Sequence, residues 1–181
     1  MPDFSRIAGA LLRAAASALQ GGSGLHESEP ESRVPPKPAR ATRPSDGYPG
    51  DYAGLPKLTY APHPGHLADP GEVVWAWVPY EEDHAQGKDR PVLVIGRDGR
   101  WLLGLPLSSV DHDADARQEA SEGRYWVDLG SGDWDATGRD SHVRVDRIVR
   151  LDPDRLRRIG GVVPEATYDR VAAGLRRHWA D

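Results

Sequence analysis

Arg90 and Pro91 stand directly before four branched apolar residues, Val92, Leu93, Val94 and Ile95, so a permanent cation sits at the mouth of a buried strand. The apolar run accounts for the strand but not for the cation, whose plainer reading from this fragment alone is an exposed arginine that ends a strand or pairs with Asp89. A guanidinium stays charged and offers a planar fork of donors that fits two phosphate oxygens. It therefore suits a reaction in which a phosphate gains negative charge on the way to its transition state. Ser108 ends a second apolar run, and its hydroxyl can donate and accept but is too weak an acid to shuttle protons alone. Ser109 could take its place. Arginine is a poor base, which leaves Glu81, Glu82, Asp83 or His84 of the intervening loop for proton transfer. His84 has the most suitable titration range, and no base is assigned. Lys88 and Arg97 add cations on the same unit. Trp75 and Trp77, two apart, share one strand face, where core packing is the plainer reading and base stacking the alternative.

The elements that must carry these groups follow from pattern. Residues 72–78, "EVVWAWV", alternate and are rich in β-branched and aromatic side chains, which predicts a strand ending at Pro79. "PVLVIGRDGRWLLGLPLSS" gives two apolar runs around Asp98-Gly99, a hairpin turn signal. "RYWVDL" and "HVRVDRIVRL" read as further strands joined by the turn-rich "GSGDWDATGRD". "VPEATYDRVAAGLRRHWA" puts Tyr168, Val171, Ala172, Leu175 and Trp179 on one helical stripe behind Pro164. The expected fold class is mainly β with a C-terminal α-helix.

Upstream the pattern changes. Residues 5–20 can form an amphipathic helix, and Arg13 interrupts the apolar stretch that a secretory leader would need. From Gly21 onward prolines recur every few residues without a sustained period, so residues 21–69 read as a flexible linker and order is expected from residue 70 to 181. His63 and His66 lack further ligands at metal spacing, and the acidic stretch around Asp111, His112, Asp113 and Asp115 lacks the glycine and closing glutamate of a calcium loop.

The chain has 181 residues, 38% hydrophobic, with 20 glycines, 16 prolines and no cysteine. Disulfides, thiolate nucleophiles and Cys-type zinc sites are thereby excluded, and a cytoplasmic setting is expected. No apolar run reaches the roughly 20 residues that span a bilayer. The formal charge is -5, and residues 71–181 carry 16 Lys+Arg against 21 Asp+Glu. A polyanion could be held only by a local cluster of cations.

In order and spacing, "GEVVWAWVPYEEDHAQGKDRPVLVIG", "GLPLSS" and "DSHVRVDRIVRLDPDRLRRIGGVVPEATYDRVAAGL" resemble the MazF/PemK (Kid) family, the toxins of bacterial type II toxin-antitoxin pairs. The resemblance covers roughly residues 70–177. It implies a small SH3-like β-barrel, here behind the N-terminal extension that composition marks as disordered, working as a homodimer with an antitoxin partner. It also implies sequence-specific cleavage of single-stranded RNA without a metal or other cofactor, leaving a cyclic phosphate and a 5'-hydroxyl. By position, the family's essential arginine falls on Arg90 and its Thr/Ser on Ser108, with Gln86 on a loop glutamine; Lys88, Ser109, Arg97 and His84 join them as RNA-contacting candidates. The family's usual glutamate position is Ala85, which leaves any mechanism needing that carboxylate open. A non-catalytic barrel, such as a gyrase-contacting toxin or a regulator, is the alternative.

Overall fold

The alternation at residues 72–79 becomes an eight-residue strand, β1 (Glu72–Pro79). The computed structural model describes residues 47–65, 67–109 and 123–180, leaving aside the side chains of 158–160, and all of these belong to one unit, Lys37–Asp181. After β1 come β2 (Gly87–Asp98), β3 (Trp101–Ser108), β4 (Trp126–Gly130), β5 (Ser141–Arg144), β6 (Val149–Leu151) and β7 (Arg157–Val162), and then the helix α1 (Glu165–Trp179). Asp98 and Gly99 make the expected tight turn between β2 and β3, with Gly99 at φ +56°, a conformation costly for other residues.

The strands form an antiparallel sheet in the order β4-β5-β3-β2-β1-β7, with β6 pairing beside it on β3. The long strand β3 is shared. Leu102 to Gly104 pair with β6, whereas Leu107 and Ser108 pair with β5, and a register shift lies between Val94 and Gly96 on β2. Such irregularities bend and twist a strand, and the sheet curls into a half-barrel. Apolar side chains fill both of its faces. The cross-strand row Val73, Leu93 and Leu105 belongs to one cluster, which α1 covers with Tyr168, Val171, Ala172 and Leu175. Val74, Val92, Ala76 and Val78 point the other way, into a second cluster with Leu102, Val149 and Leu151. Leu175 and Val171 are fully buried, each worth about 1.5–3 kcal/mol against exposure. No helix among the described residues is long and apolar enough to cross a membrane.

Two differences from the sequence reading stand out. Strand β7 lies in "RRIGGV", whose arginines and glycines carry no strand pattern; it forms because β1 offers it an edge from Glu72 to Trp75. Residues 47–65, read as linker, are packed on the domain. The Tyr52 amide bonds the Ile148 carbonyl at 2.8 Å, Ala61 bonds Pro70 at 3.0 Å, and the Tyr60 hydroxyl reaches Val163 at 2.9 Å. The Tyr168 hydroxyl donates back to Thr59 at 2.7 Å. These bonds satisfy a backbone that has no regular partner of its own. The expected helix at 5–20, the rest of the linker up to residue 46, His66 and the acidic connector at 110–122 lie outside the described residues.

Candidate functional site

Strand β2 presents Arg90 opposite Ala76 of β1 and half-buries it. The neighbouring Asp89 is not its partner, because Arg157 takes that carboxylate at 2.8 Å. Arg90 has no hydrogen bond or ion pair among the described residues. Burial lowers its pKa from the ordinary arginine value; Tyr80 nearby opposes this, and the positive charges of Arg147 and Arg144 reinforce it. Among the described residues this half-buried cation has no counter-ion, a state that favours the arrival of an anion.

Ser108, at the end of β3, pairs with His142 of β5 and lies where two clefts adjoin. Arg90, Leu107 and Ser108 wall both of them. The first cleft, about 320 Å³, is completed by Tyr80, Glu81, Glu82, Arg124, Trp126, Arg144 and Arg147. The second, about 480 Å³, is completed by Trp75, Lys88, Ser109, Trp134, Asp135 and Arg139. The two residues singled out from sequence are therefore brought to one ridge, with Ser109 and Lys88 on its second side.

The first cleft has an electrostatic frame that the sequence did not disclose. Arg144 donates to Asp146 and to Glu81, with its Nε 2.8 Å from Asp146. Burial opposes the charge of Arg144, but the bonds to Asp146 and Glu81 outweigh it and hold its pKa above the ordinary value. Arg147 is buried and pairs with Asp51 at 2.7 Å. Of the four guanidinium groups that line this cleft, Arg144 and Arg147 are fixed by carboxylates, whereas Arg90 has no carboxylate partner among the described residues. Alternation in "HVRV" marks Arg144 as facing away from Val143, which is the only sequence signal for this frame.

In the second cleft Trp75 donates through Nε1 to the Trp134 carbonyl at 3.3 Å, and the Arg157 guanidinium lies 5.5 Å from its ring centroid. Core packing was the plainer expectation for Trp75 and Trp77, yet neither joins an apolar cluster. Val73 on the same strand face is covered by core residues, whereas at Trp75 that face meets the β4–β5 loop. Trp134 from this loop is buried and bonds Ser141 Oγ at 3.1 Å, which anchors the cleft wall.

Three other candidates line neither cleft. The Gln86 side chain donates to Asp83 at 2.8 Å, and its backbone closes the loop between Tyr80 and Asp83. The His84 ring stands edge-on against Tyr48, with centroids 5.0 Å apart. Arg97 lies roughly 23 Å along β2 from Arg90 at strand rise, with its Nη2 near the Ala68 carbonyl at 3.4 Å. Ala85, at the position of the family's glutamate, bonds through its amide to Asp83 at 2.8 Å. Among the loop carboxylates, Glu81 and Glu82 line the first cleft. His63 engages the Ala61 carbonyl at 2.7 Å, and among the described residues no group of three metal-ligating side chains gathers.

Comparison with known proteins adds the family. No curated protein matches the chain. Among solved structures, the crystal structure of MazF (Form-I) from Deinococcus radiodurans is similar at 18% identity and a TM-score of 0.44, covering 64% of this chain and 98% of that one. The family described as PemK-like, MazF-like toxin of type II toxin-antitoxin system matches residues 69–179, more than half of the sequence. The chain belongs to this family of toxins.

Proposed function

We propose that the protein is a sequence-specific endoribonuclease that cuts single-stranded RNA without a metal, working as a cytoplasmic homodimer under the restraint of a cognate antitoxin. The observation that carries this reading is the uncompensated Arg90 beside Ser108 on the ridge between two clefts. A diester seated on that ridge would put its neighbouring nucleotides in the clefts on either side.

Cleavage begins when a ribose 2'-hydroxyl attacks the adjacent phosphorus. The 2'-oxygen–phosphorus bond forms, the bond to the 5'-oxygen breaks, and a cyclic phosphate and a 5'-hydroxyl result. Charge builds on the two non-bridging oxygens, where the Arg90 fork meets it with paired donors already in place. The Ser108 hydroxyl donates to the same phosphate or fixes the guanidinium. One group must take the 2'-hydroxyl proton and another must return one to the leaving oxygen. Arg144 engages Glu81, so Glu82 is the cleft carboxylate available as base. Lys88 attracts the strand electrostatically, and the exposed part of Trp75 offers a base a stacking face.

The test uses purified full-length protein, a long single-stranded RNA and EDTA, with Arg90→Ala beside the wild type. Cutting that survives EDTA, yields 5'-hydroxyl ends at a recurrent short sequence and disappears in Arg90→Ala supports the proposal. Absence of cutting by the wild type refutes it and leaves a binding module.

A further inference from the structure

Arg147 enters the first cleft from the bend between β5 and β6, and its geometry is set from far away in the sequence. Nε donates to Asp51 Oδ2 at 2.7 Å, and Nη2 donates to Asp51 Oδ1 at 3.3 Å and to the Pro79 carbonyl at 2.9 Å. Nη1 makes no hydrogen bond among the described residues and lies 3.9 Å from Glu81, on the wall of the same cleft. One edge of the guanidinium is thus clamped, and the remaining nitrogen faces Glu81 on the wall of the first cleft. The Arg147 side chain is 9% exposed, and without Asp51 its charge would rest on the Pro79 carbonyl and the more distant Glu81 carboxylate.

Asp51 is held as firmly as it holds. The Tyr48 hydroxyl donates to its Oδ1, and Arg150 donates from its amide to that hydroxyl at 3.3 Å and from Nη1 to the Gly50 and Asp51 carbonyls at 2.9 Å each. The Tyr52 amide bonds Ile148 at 2.8 Å, next to Arg147 itself. Tyr48 also packs on His84 of the β1–β2 loop, which carries Glu81 and Glu82. All of these contacts come from residues 48–52, upstream of residue 69, where the family match begins.

We propose that the segment Tyr48–Tyr52 is part of the RNA site, with Asp51 as a positioning residue that aims Arg147 at the phosphate chain beside Arg90. This rests on the nuclease reading above. The segment converts a buried cation, which could otherwise adopt several directions, into one oriented donor. A charge-neutralised pair adds little raw attraction for RNA, so its contribution falls on alignment of the reacting diester rather than on affinity.

The experiment measures cleavage by the full chain carrying Asp51→Ala, Asp51→Asn, Asp51→Glu, Arg147→Ala or Asp51→Ala with Arg147→Ala. Binding is read separately with a DNA oligonucleotide of the cleaved sequence, which lacks the 2'-hydroxyl and cannot be cut. Tyr168→Phe, away from both clefts, serves as a destabilised control. We expect Asp51→Ala and Asp51→Asn to lower kcat by about 10–100-fold, with KM and oligonucleotide affinity changed less than about threefold. Asp51→Glu should restore part of the loss, and the double variant should be no slower than Arg147→Ala within about twofold. Wild-type kcat in Asp51→Ala, losses that multiply in the double variant, or a loss no larger than a matched drop in Tm gives Tyr168→Phe would each overturn the proposal. If Arg90→Ala is inactive while Asp51→Ala cuts normally, only this proposal fails; a wild type that does not cut overturns the nuclease reading and this one with it.

Discussion

Arg90→Ala is expected to move activity and stability in different directions. Folding half-buries this guanidinium near Arg147 and Arg144, and no carboxylate among the described residues compensates it. Its removal relieves desolvation and like-charge repulsion and strands no acceptor. Stability should therefore hold, or rise by on the order of 0.5–1 kcal/mol, which is roughly 2–6 °C in Tm. Cleavage should fall about 10²–10³-fold, the cost of removing one donor from a preorganised oxyanion site. Arg90→Lys restores the charge without the planar fork and should fall between the two. Arg147→Ala makes the contrast, because it takes the guanidinium from the Pro79 carbonyl and from the Asp51 carboxylate, which retains the Tyr48 hydroxyl. Breaking a fully buried pair costs about 3–5 kcal/mol. The Asp51 side chain is 29% exposed and water can recover part of that, so about 2 kcal/mol is expected. Thermal and urea unfolding, run beside the RNA assay in EDTA, reads both quantities. An Arg90→Ala protein that melts as early as Arg147→Ala would refute the description of Arg90 as an uncompensated cation. One that melts normally and still cuts would remove its electrostatic role.

Other outcomes follow from the same contacts. Gly104→Ala puts a methyl group 2.5 Å from Val92 Cγ1 and 3.1 Å from Leu151 Cδ1, so urea unfolding should show a loss of about 1–3 kcal/mol. Burial pushes the Tyr168 hydroxyl from 10.0 up to about 12. A raised folded pKa means full stability below pH 10 and a loss as pH climbs from there through 12. Tyr168→Phe should flatten that alkaline limb of a Tm-against-pH curve. Glu82→Gln should slow cleavage by about 10²-fold, and an unchanged rate would exclude it as base. Lys88→Ala should reduce the salt dependence of RNA binding by roughly 0.7 in log-log slope, while Arg97→Ala should leave it unchanged.

What could be read from sequence divides along physical lines. Strands β1, β2 and β3, the Asp98-Gly99 turn and α1 were legible because period, β-branching and turn chemistry are local properties. Arg90 and Ser108 were singled out by their match to the family's positions, since an arginine or serine where an apolar run meets a polar loop is by itself ordinary. The run "RRIGGV" was not legible, because β7 exists only through the edge that β1 presents to it. Residues 47–65 misled for a related reason. Proline spacing reports the lack of an internal period, but it says nothing of carbonyls on a distant strand that can satisfy such a backbone. Arg147 and Asp51 are 96 positions apart, so neither residue type nor spacing could pair them.

The acidic balance of the chain acquires a structural meaning in this light. A net charge of -5 argues against general attraction to RNA, yet several of the carboxylates near the clefts are engaged by arginines. Asp146 and Glu81 fix Arg144, Asp51 fixes Arg147, and Asp89 is drawn off by Arg157. Had Asp89 paired with its neighbour Arg90, the ridge would be neutral and an incoming diester would have to break that pair before binding. Asp89 instead points to the opposite face of β2, where Arg157 takes it, so the cost of desolvating Arg90 is met during folding and the fork is ready when substrate arrives. Arg157→Ala should therefore lower stability while leaving the rate of the folded protein near that of the wild type, because the carboxylate it releases lies on the other face of β2 from Arg90. An Arg157→Ala protein that stays folded but loses cleavage as far as Arg90→Ala does would show that this carboxylate competes for Arg90.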